Sequence, residues 1–193
     1  MEERLGGGHV DPAQQLSLID PEGRPGGGVD AAEPTLLAAL SDLRPLPPNT
    51  PANQTAAEVK MASKAAGSDY AVSKLEGVWW KEGVSVEWTW QLLIRVPEFI
   101  TKKHLSDAVT KLMERDKDEV VARVTLETLD EGKCVQVLHI GPYTAEQTTI
   151  AKMRAFAKQQ GLSFRGRHHE IYLSDPRRVG EEKLRTILRQ PVG

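Results

Sequence analysis

Two glutamates surrounded by aromatic residues carry the chemistry this chain can offer. Glu76 lies in Leu75-Glu76-Gly77-Val78-Trp79-Trp80, and Glu170 lies in His169-Glu170-Ile171-Tyr172-Leu173, 94 positions further on. Gly67, Arg95 and Pro97 return at the same interval as Gly161, Arg189 and Pro191. A carboxylate walled by aromatic rings loses hydration, so its pKa tends upward and it becomes a candidate general base or acid. Trp79, Trp80, Trp88, Trp90 and Tyr172 could supply such walls for a flat, cationic or electrophilic ligand through stacking and cation–π attraction. Alternation along a strand puts Glu170 and Tyr172 on one face, expected to be the open one, and His169, Ile171 and Leu173 on the other, where Ile171 and Leu173 belong against the helices. The repeat then places Glu76, Val78 and Trp80 on the equivalent face of a first lobe, so both carboxylates are expected to converge in one central groove. Two plainer accounts stay open. Arg95, Arg167 or Arg189 could simply neutralise the glutamates, and the tryptophans, Trp79 above all, could be core.

Other chemistries fit the spacing poorly. His168 and His169 are adjacent and point to opposite faces, and His139 lies on another strand, so no metal site is expected. No cofactor is expected either, because Gly6-Gly7-Gly8 and Gly26-Gly27-Gly28 lack the strand, helix and lysine of a phosphate loop. Serine and threonine have no nucleophile elbow. The single cysteine, Cys134, sits in an apolar run and reads as a buried strand thiol in a reducing, cytoplasmic protein. A net charge of −2 gives no field that would draw nucleic acid, and no apolar run is long enough to span a membrane.

The elements that must position these residues form a repeating pattern. Hydrophobic residues at 39% and charged ones at 27% place the chain among soluble globular proteins. Residues 1–15 read as a flexible tail, Leu16 to Asp20 as a short strand, and Ala31 to Leu43 as a short amphipathic helix. Thr50 to Ala66 reads as a helix stopped by Gly67. Strands follow at Tyr70 to Val72, Gly77 to Trp80 and Val86 to Ile94, with a turn at Lys81-Glu82-Gly83. Thr101 to Arg115 makes a linking helix. Val120 to Leu129 and Lys133 to Ile140 are expected as a hairpin, followed by a helix over Ala145 to Gln160 and strands over His168 to Leu173 and Leu184 to Gln190. The fold class is α+β: a strand-helix-strand-strand unit used twice, with an antiparallel sheet, helices on one face and a ligand cleft between two lobes. The repeats fall at residues 16–97 and 120–193, joined by 98–119.

Leu138-His139-Ile140-Gly141-Pro142-Tyr143, His168-His169-Glu170-Ile171-Tyr172-Leu173-Ser174-Asp175-Pro176-Arg177-Arg178 and the stretch from Lys183 to Val192 resemble the GyrI-like small-molecule-binding family. Leu75-Glu76-Gly77-Val78-Trp79-Trp80 and Asp20-Pro21-Glu22-Gly23-Arg24-Pro25-Gly26 look like its first-half motifs. The resemblance implies a cleft for bulky aromatic or cationic compounds, faced by the strand glutamate, here Glu170. With no helix-turn-helix segment, the chain is similar to stand-alone members, some of which are hydrolases that open the cyclopropane of DNA-alkylating natural products. On that reading Glu170 orients water as a base and Tyr143 donates a hydrogen bond, with Tyr172 as the other candidate donor. Glu76, Trp79, Trp80, Trp88, Trp90, His169 and Tyr172 are carried over as ligand-binding. The alternatives are a non-catalytic sequestering module and a protein modulator of a topoisomerase. The partner is expected to be a small hydrophobic aromatic ligand, and the state a monomer or homodimer. One departure stands out: Asn53-Gln54-Thr55-Ala56-Ala57-Glu58 occupies a helix stretch that usually presents aromatic residues to the cleft.

Overall fold

A computed structural model describes residues 16–19, 34–39, 50–81, 88–116 and 119–193. Eight strands form one antiparallel sheet, in chain order β1 (Ser17–Ile19), β2 (Pro34–Ala39), β3 (Leu75–Trp80), β4 (Thr89–Arg95), β5 (Thr125–Thr128), β6 (Cys134–Ile140), β7 (His168–Tyr172) and β8 (Arg185–Pro191). Across the sheet they run β1-β6-β8-β7-β3-β4-β2-β5. The inner six read symmetrically, β6-β8-β7 against β2-β4-β3, so β3 and β7 join the two halves at the centre. Each half carries the expected strand-helix-strand-strand order.

Among the described residues, three long helices cover one face. In α1 (Pro51–Ala65) the Thr50 hydroxyl accepts the Asn53 backbone N–H at 3.1 Å, and Pro51 takes a first-turn position where no donor is needed. Its buried stripe of Ala52, Ala56 and Val59 packs on Ile94 of β4 and on Leu105 and Ala108 of α2 (Lys102–Asp116). On the other side, Met153 and Ala157 of α3 (Glu146–Gln159) pack on Val135 and Val137 of β6 and on Leu188 of β8. Both α1 and α3 end ahead of a glycine in the left-handed region, Gly67 at φ 93° and Gly161 at φ 71°, as their spacing predicts. Residues opposite one another in an antiparallel sheet share a face. The register Leu75↔Ile94, Gly77↔Glu170 and Glu170↔Leu188 therefore puts Gly77 and Glu170 on the helix-covered face, between the two helical groups.

Four expectations fail locally. Ala31 to Leu43 is not helical where it is described: Pro34–Ala39 is a strand paired with β4 on one side and β5 on the other. Its Leu-Leu-Ala-Ala run favours a helix, but pairing on both edges overrides that weak preference. The expected hairpin around Asp130-Glu131-Gly132 does not form. The chain makes a 3-10 turn at Glu119–Arg123, then β5 joins β2, while β6 lies near the opposite edge between β1 and β8. Tyr70 to Val72 has no strand pairing. Finally, the helices lie on the face of Glu170 and Tyr172, not on that of Ile171. The expected tail over residues 1–15 and the turn residues Glu82 and Gly83 fall outside the described residues.

Candidate functional site

A half-open cavity of about 530 Å³ lies beside α3, whose Glu146, Gln147, Ile150 and Arg154 wall it, over a floor of Trp79 from β3, His168 and Glu170 from β7 and Gln190 from β8. Glu170 is at its base, only 3% exposed, with Trp79, Trp88, Tyr143, Glu146, Ile150, Phe164 and His168 around it. Trp79 is stacked on Trp90, ring centroids 5.1 Å apart and planes within 9°, so Trp90 braces the wall from behind. The Trp79 indole N–H donates to the Tyr172 hydroxyl at 3.3 Å, and the Tyr172 ring meets Tyr143 edge-on at 6.1 Å. Gly77 makes this possible. A Cβ there would lie 2.8 Å from the Tyr172 hydroxyl and 3.2 Å from the Trp79 nitrogen, so the glycine of Leu-Glu-Gly-Val-Trp is the space the tyrosine fills. Trp88 is 54% exposed at the mouth.

Hydrogen bonds fix the histidine beside Glu170. The Gln190 amide N–H donates to the Arg165 carbonyl at 2.7 Å, which turns its Oε1 toward His168 Nδ1 at 3.3 Å. Because that oxygen can only accept, Nδ1 carries a proton. Nε2 of His168 then faces Glu170 Oε1 at 3.8 Å. Glu170 thus has His168 on one side and the cavity on the other, which lets the carboxylate act as a general base toward a molecule held in that space.

The opposite face of the sheet holds a different cluster. His169, fully buried, donates through Nε2 to Glu76 Oε2 at 2.8 Å and through Nδ1 to Glu131 Oε1 at 3.0 Å. Arg95 reaches Glu76 at 3.3 Å, and Arg189 reaches Glu131 at 3.2 Å and Gln136 at 3.0 Å. Burial alone would lower the His169 pKa, but hydrogen bonds and charge from Glu131 and Glu76 outweigh it and hold the value above 6.5. Burial would raise Glu131, yet its bond to His169, followed by His169 and Arg189 charge, brings it down to about 2. His169 is thus an imidazolium clamped between two carboxylates. Nearby, the Arg167 guanidinium covers the Trp80 ring at 3.7 Å. Cys134 is buried here too, its thiol pushed up to about 12, first by burial and then by the Glu131 charge, which makes it an inert thiol.

The GyrI-like small molecule binding domain matches residues 95–192. A crystal structure of an uncharacterized conserved protein from Listeria innocua is 32% identical, covers 94% of both chains and superposes with a TM-score of 0.80. This chain belongs to the GyrI-like family. A second Listeria innocua structure, described as a hydrolase, is 31% identical over 95% of this chain and 94% of its own, with a TM-score of 0.78. The EcmrR C-terminal domain, at 11% identity and TM-score 0.53, covers 93% of this chain and 98% of its own, and shares the fold alone. No curated protein matches the chain.

Within this GyrI-like fold, the residues singled out from the sequence divide between two faces. Glu170, Tyr143, Trp79 and Trp88 come together around the cavity, with Tyr172 and Trp90 behind its wall. Glu76, Trp80 and His169 lie on the reverse face, so the expected convergence of both glutamates in one groove is corrected. The cause is parity. Glu76 faces Ile171 across β3 and β7, whereas Glu170 faces Gly77, and one residue of offset reverses a side chain. The sequence interval of 94 aligns glutamate with glutamate, but strands that keep faces matched here must be offset by an odd number.

The spacing does not single out Glu146, Gln190 or Glu131, and it marks His168 only as a metal ligand to be rejected. The repeat hid Glu146, whose counterpart at the same interval is Ala52. Glu131 was absorbed into a hairpin turn that does not exist.

Proposed function

We propose that the protein binds planar hydrophobic molecules in the cavity between α3 and the sheet and hydrolyses the strained cyclopropane of electrophilic, DNA-alkylating examples. The observation that carries this reading is the buried Glu170 carboxylate at the base of an aromatic chamber, with His168 beside it and Tyr143 on the wall. The description of a 31% identical Listeria innocua protein as a hydrolase supports it.

Glu170 takes a proton from water as the water oxygen bonds to a ring carbon. The carbon–carbon bond of the three-membered ring breaks, and its electron pair moves into the conjugated carbonyl, forming a phenolate that a proton completes as a phenol. Tyr143 donates a hydrogen bond to that oxygen as charge develops. The proton on Glu170 passes to His168 Nε2 or to solvent. Trp79, braced by Trp90, holds the flat body so that the ring lies over the carboxylate. Two carboxylates, Glu146 and Glu170, and the indole faces favour ligands poor in electrons or positively charged.

Incubation with a spirocyclopropyl dienone separates turnover from sequestration. Ring-opened alcohol formed by the wild type, and reduced by a factor of about 100 to 10,000 in Glu170→Gln, supports catalysis by the base. Tight binding of unchanged compound by both proteins supports a binding module instead.

A further inference from the structure

We propose that the aromatic chamber opens past Tyr143 into a polar annex, and that the protein prefers planar ligands bearing an anionic arm on that side. The proposal rests on the chamber being the ligand site. A second cavity of about 200 Å³ shares Tyr143 with the chamber as a lining residue. Tyr172, perpendicular to Tyr143, faces this second space. Tyr143 stands on a 3-10 turn, Tyr143–Ala145, and is half-buried, so one side chain separates the two volumes.

Their chemistry is opposite. The chamber sets indole faces beside the carboxylates of Glu146 and Glu170. The annex is lined by Asn53 from the first turn of α1, Lys74 just before β3, and Ser174, Asp175 and Arg177 just after β7. Asp175 is the only carboxylate among the annex lining residues, and Arg177 engages it through Nε at 2.9 Å, Nη2 at 2.6 Å and its backbone N–H at 3.0 Å. Those bonds hold Asp175 at about 2, so it is ionised and its charge is answered in place. Lys74 therefore sets the sign of the annex. Ser174 Oγ accepts the Arg185 backbone N–H at 3.1 Å, which leaves its own hydrogen to donate. Asn53 gives this space an amide where an aromatic side chain would have made it apolar. An anionic group would meet two carboxylates in the chamber but an ammonium, a hydroxyl and an amide beyond Tyr143. A ligand with a flat body and an acidic arm can satisfy both spaces at once.

Isothermal titration of the full chain with naphthylbutanoate, naphthylbutanamide, an equally long naphthyl trimethylammonium salt and unsubstituted naphthalene tests this. The carboxylate is expected to bind tightest and the ammonium weakest. An exposed lysine supports a preference of about fivefold for carboxylate over amide. That ratio should fall to near one in Lys74→Ala and invert in Lys74→Glu. A carboxylate bound no better than the amide, or a preference that survives both substitutions, overturns the annex. Naphthalene bound without any preference among the arms removes the annex and leaves the chamber; no binding by any probe removes both.

Discussion

Single residues decide what the chamber can do. Gln190 sets which nitrogen of His168 faces Glu170, because the Arg165 carbonyl orients the amide and the amide oxygen then demands a proton on Nδ1. Nitrogen NMR of labelled histidine should find the Nδ1–H tautomer at His168 in the wild type and its loss in Gln190→Leu; an Nε2–H tautomer in the wild type contradicts the relay. Gly77 is equally specific. Gly77→Ala forces the Tyr172 hydroxyl and Trp79 nitrogen apart, and overpacking of this kind costs about 1–3 kcal/mol. Urea denaturation should show that loss, with an unchanged midpoint telling against the close approach. Neither residue announces itself in the sequence. Gly77 is visible only as a glycine inside a strand, and Gln190 only as a polar residue near the end of one.

The strand β7 is the element on which both faces depend. Its alternation sends His168 and Glu170 to the cavity, Tyr172 to the same face behind the wall, and His169 to the buried cluster, so two adjacent histidines serve unrelated purposes. That alternation was legible from the sequence, as were α1, α2 and α3 and, within a few residues, β3, β4, β6, β7 and β8, whereas the expected Val120 to Leu129 strand shortens to Thr125–Thr128 behind a 3-10 turn. What the sequence could not supply was register between strands far apart in the chain. The identity of β2 as a strand, the separation of β5 from β6 and the side on which Glu76 emerges all depend on pairing partners, not on local pattern.

The cluster itself predicts a pH profile for stability. Glu131, lowered from 4.5 to about 2, contributes stability that is present above 4.5 and lost as pH falls toward 2. His169 is raised above 6.5, so its contribution is complete below 6.5 and disappears as pH climbs through its folded value. Thermal melts should therefore peak between about 4.5 and 6.5, with a shallower acid decline in Glu131→Gln. Removing one partner of a buried ion cluster costs about 3–5 kcal/mol, so Glu131→Gln should also lower the melting temperature at its optimum. A wild-type acid decline reproduced unchanged in the variant argues against this assignment.

At the scale of the whole molecule, the two halves share one sheet. β3 and β7 pair at its centre, and the cavity lies over that seam against α3. No helix among the described residues is long and apolar enough to cross a membrane. A continuous sheet predicts one cooperative unfolding transition. All four tryptophans lie between Trp79 and Trp90, so their fluorescence reports the first half while far-ultraviolet circular dichroism reports the whole. The two urea curves should coincide; fluorescence that changes well before the dichroism would mean the halves unfold separately.

The division of the two glutamates between faces is the claim on which the functional account turns, and rate measurement on matched variants tests it most directly. With a spirocyclopropyl dienone as substrate, single-turnover ring opening per folded molecule is compared for Glu170→Gln and Glu76→Gln. The account predicts a loss of about 100-fold or more at Glu170. Glu76→Gln should destabilise the protein while its folded fraction opens the ring within a few-fold of the wild-type rate. Equal losses at both positions, or a greater loss at Glu76, would contradict it.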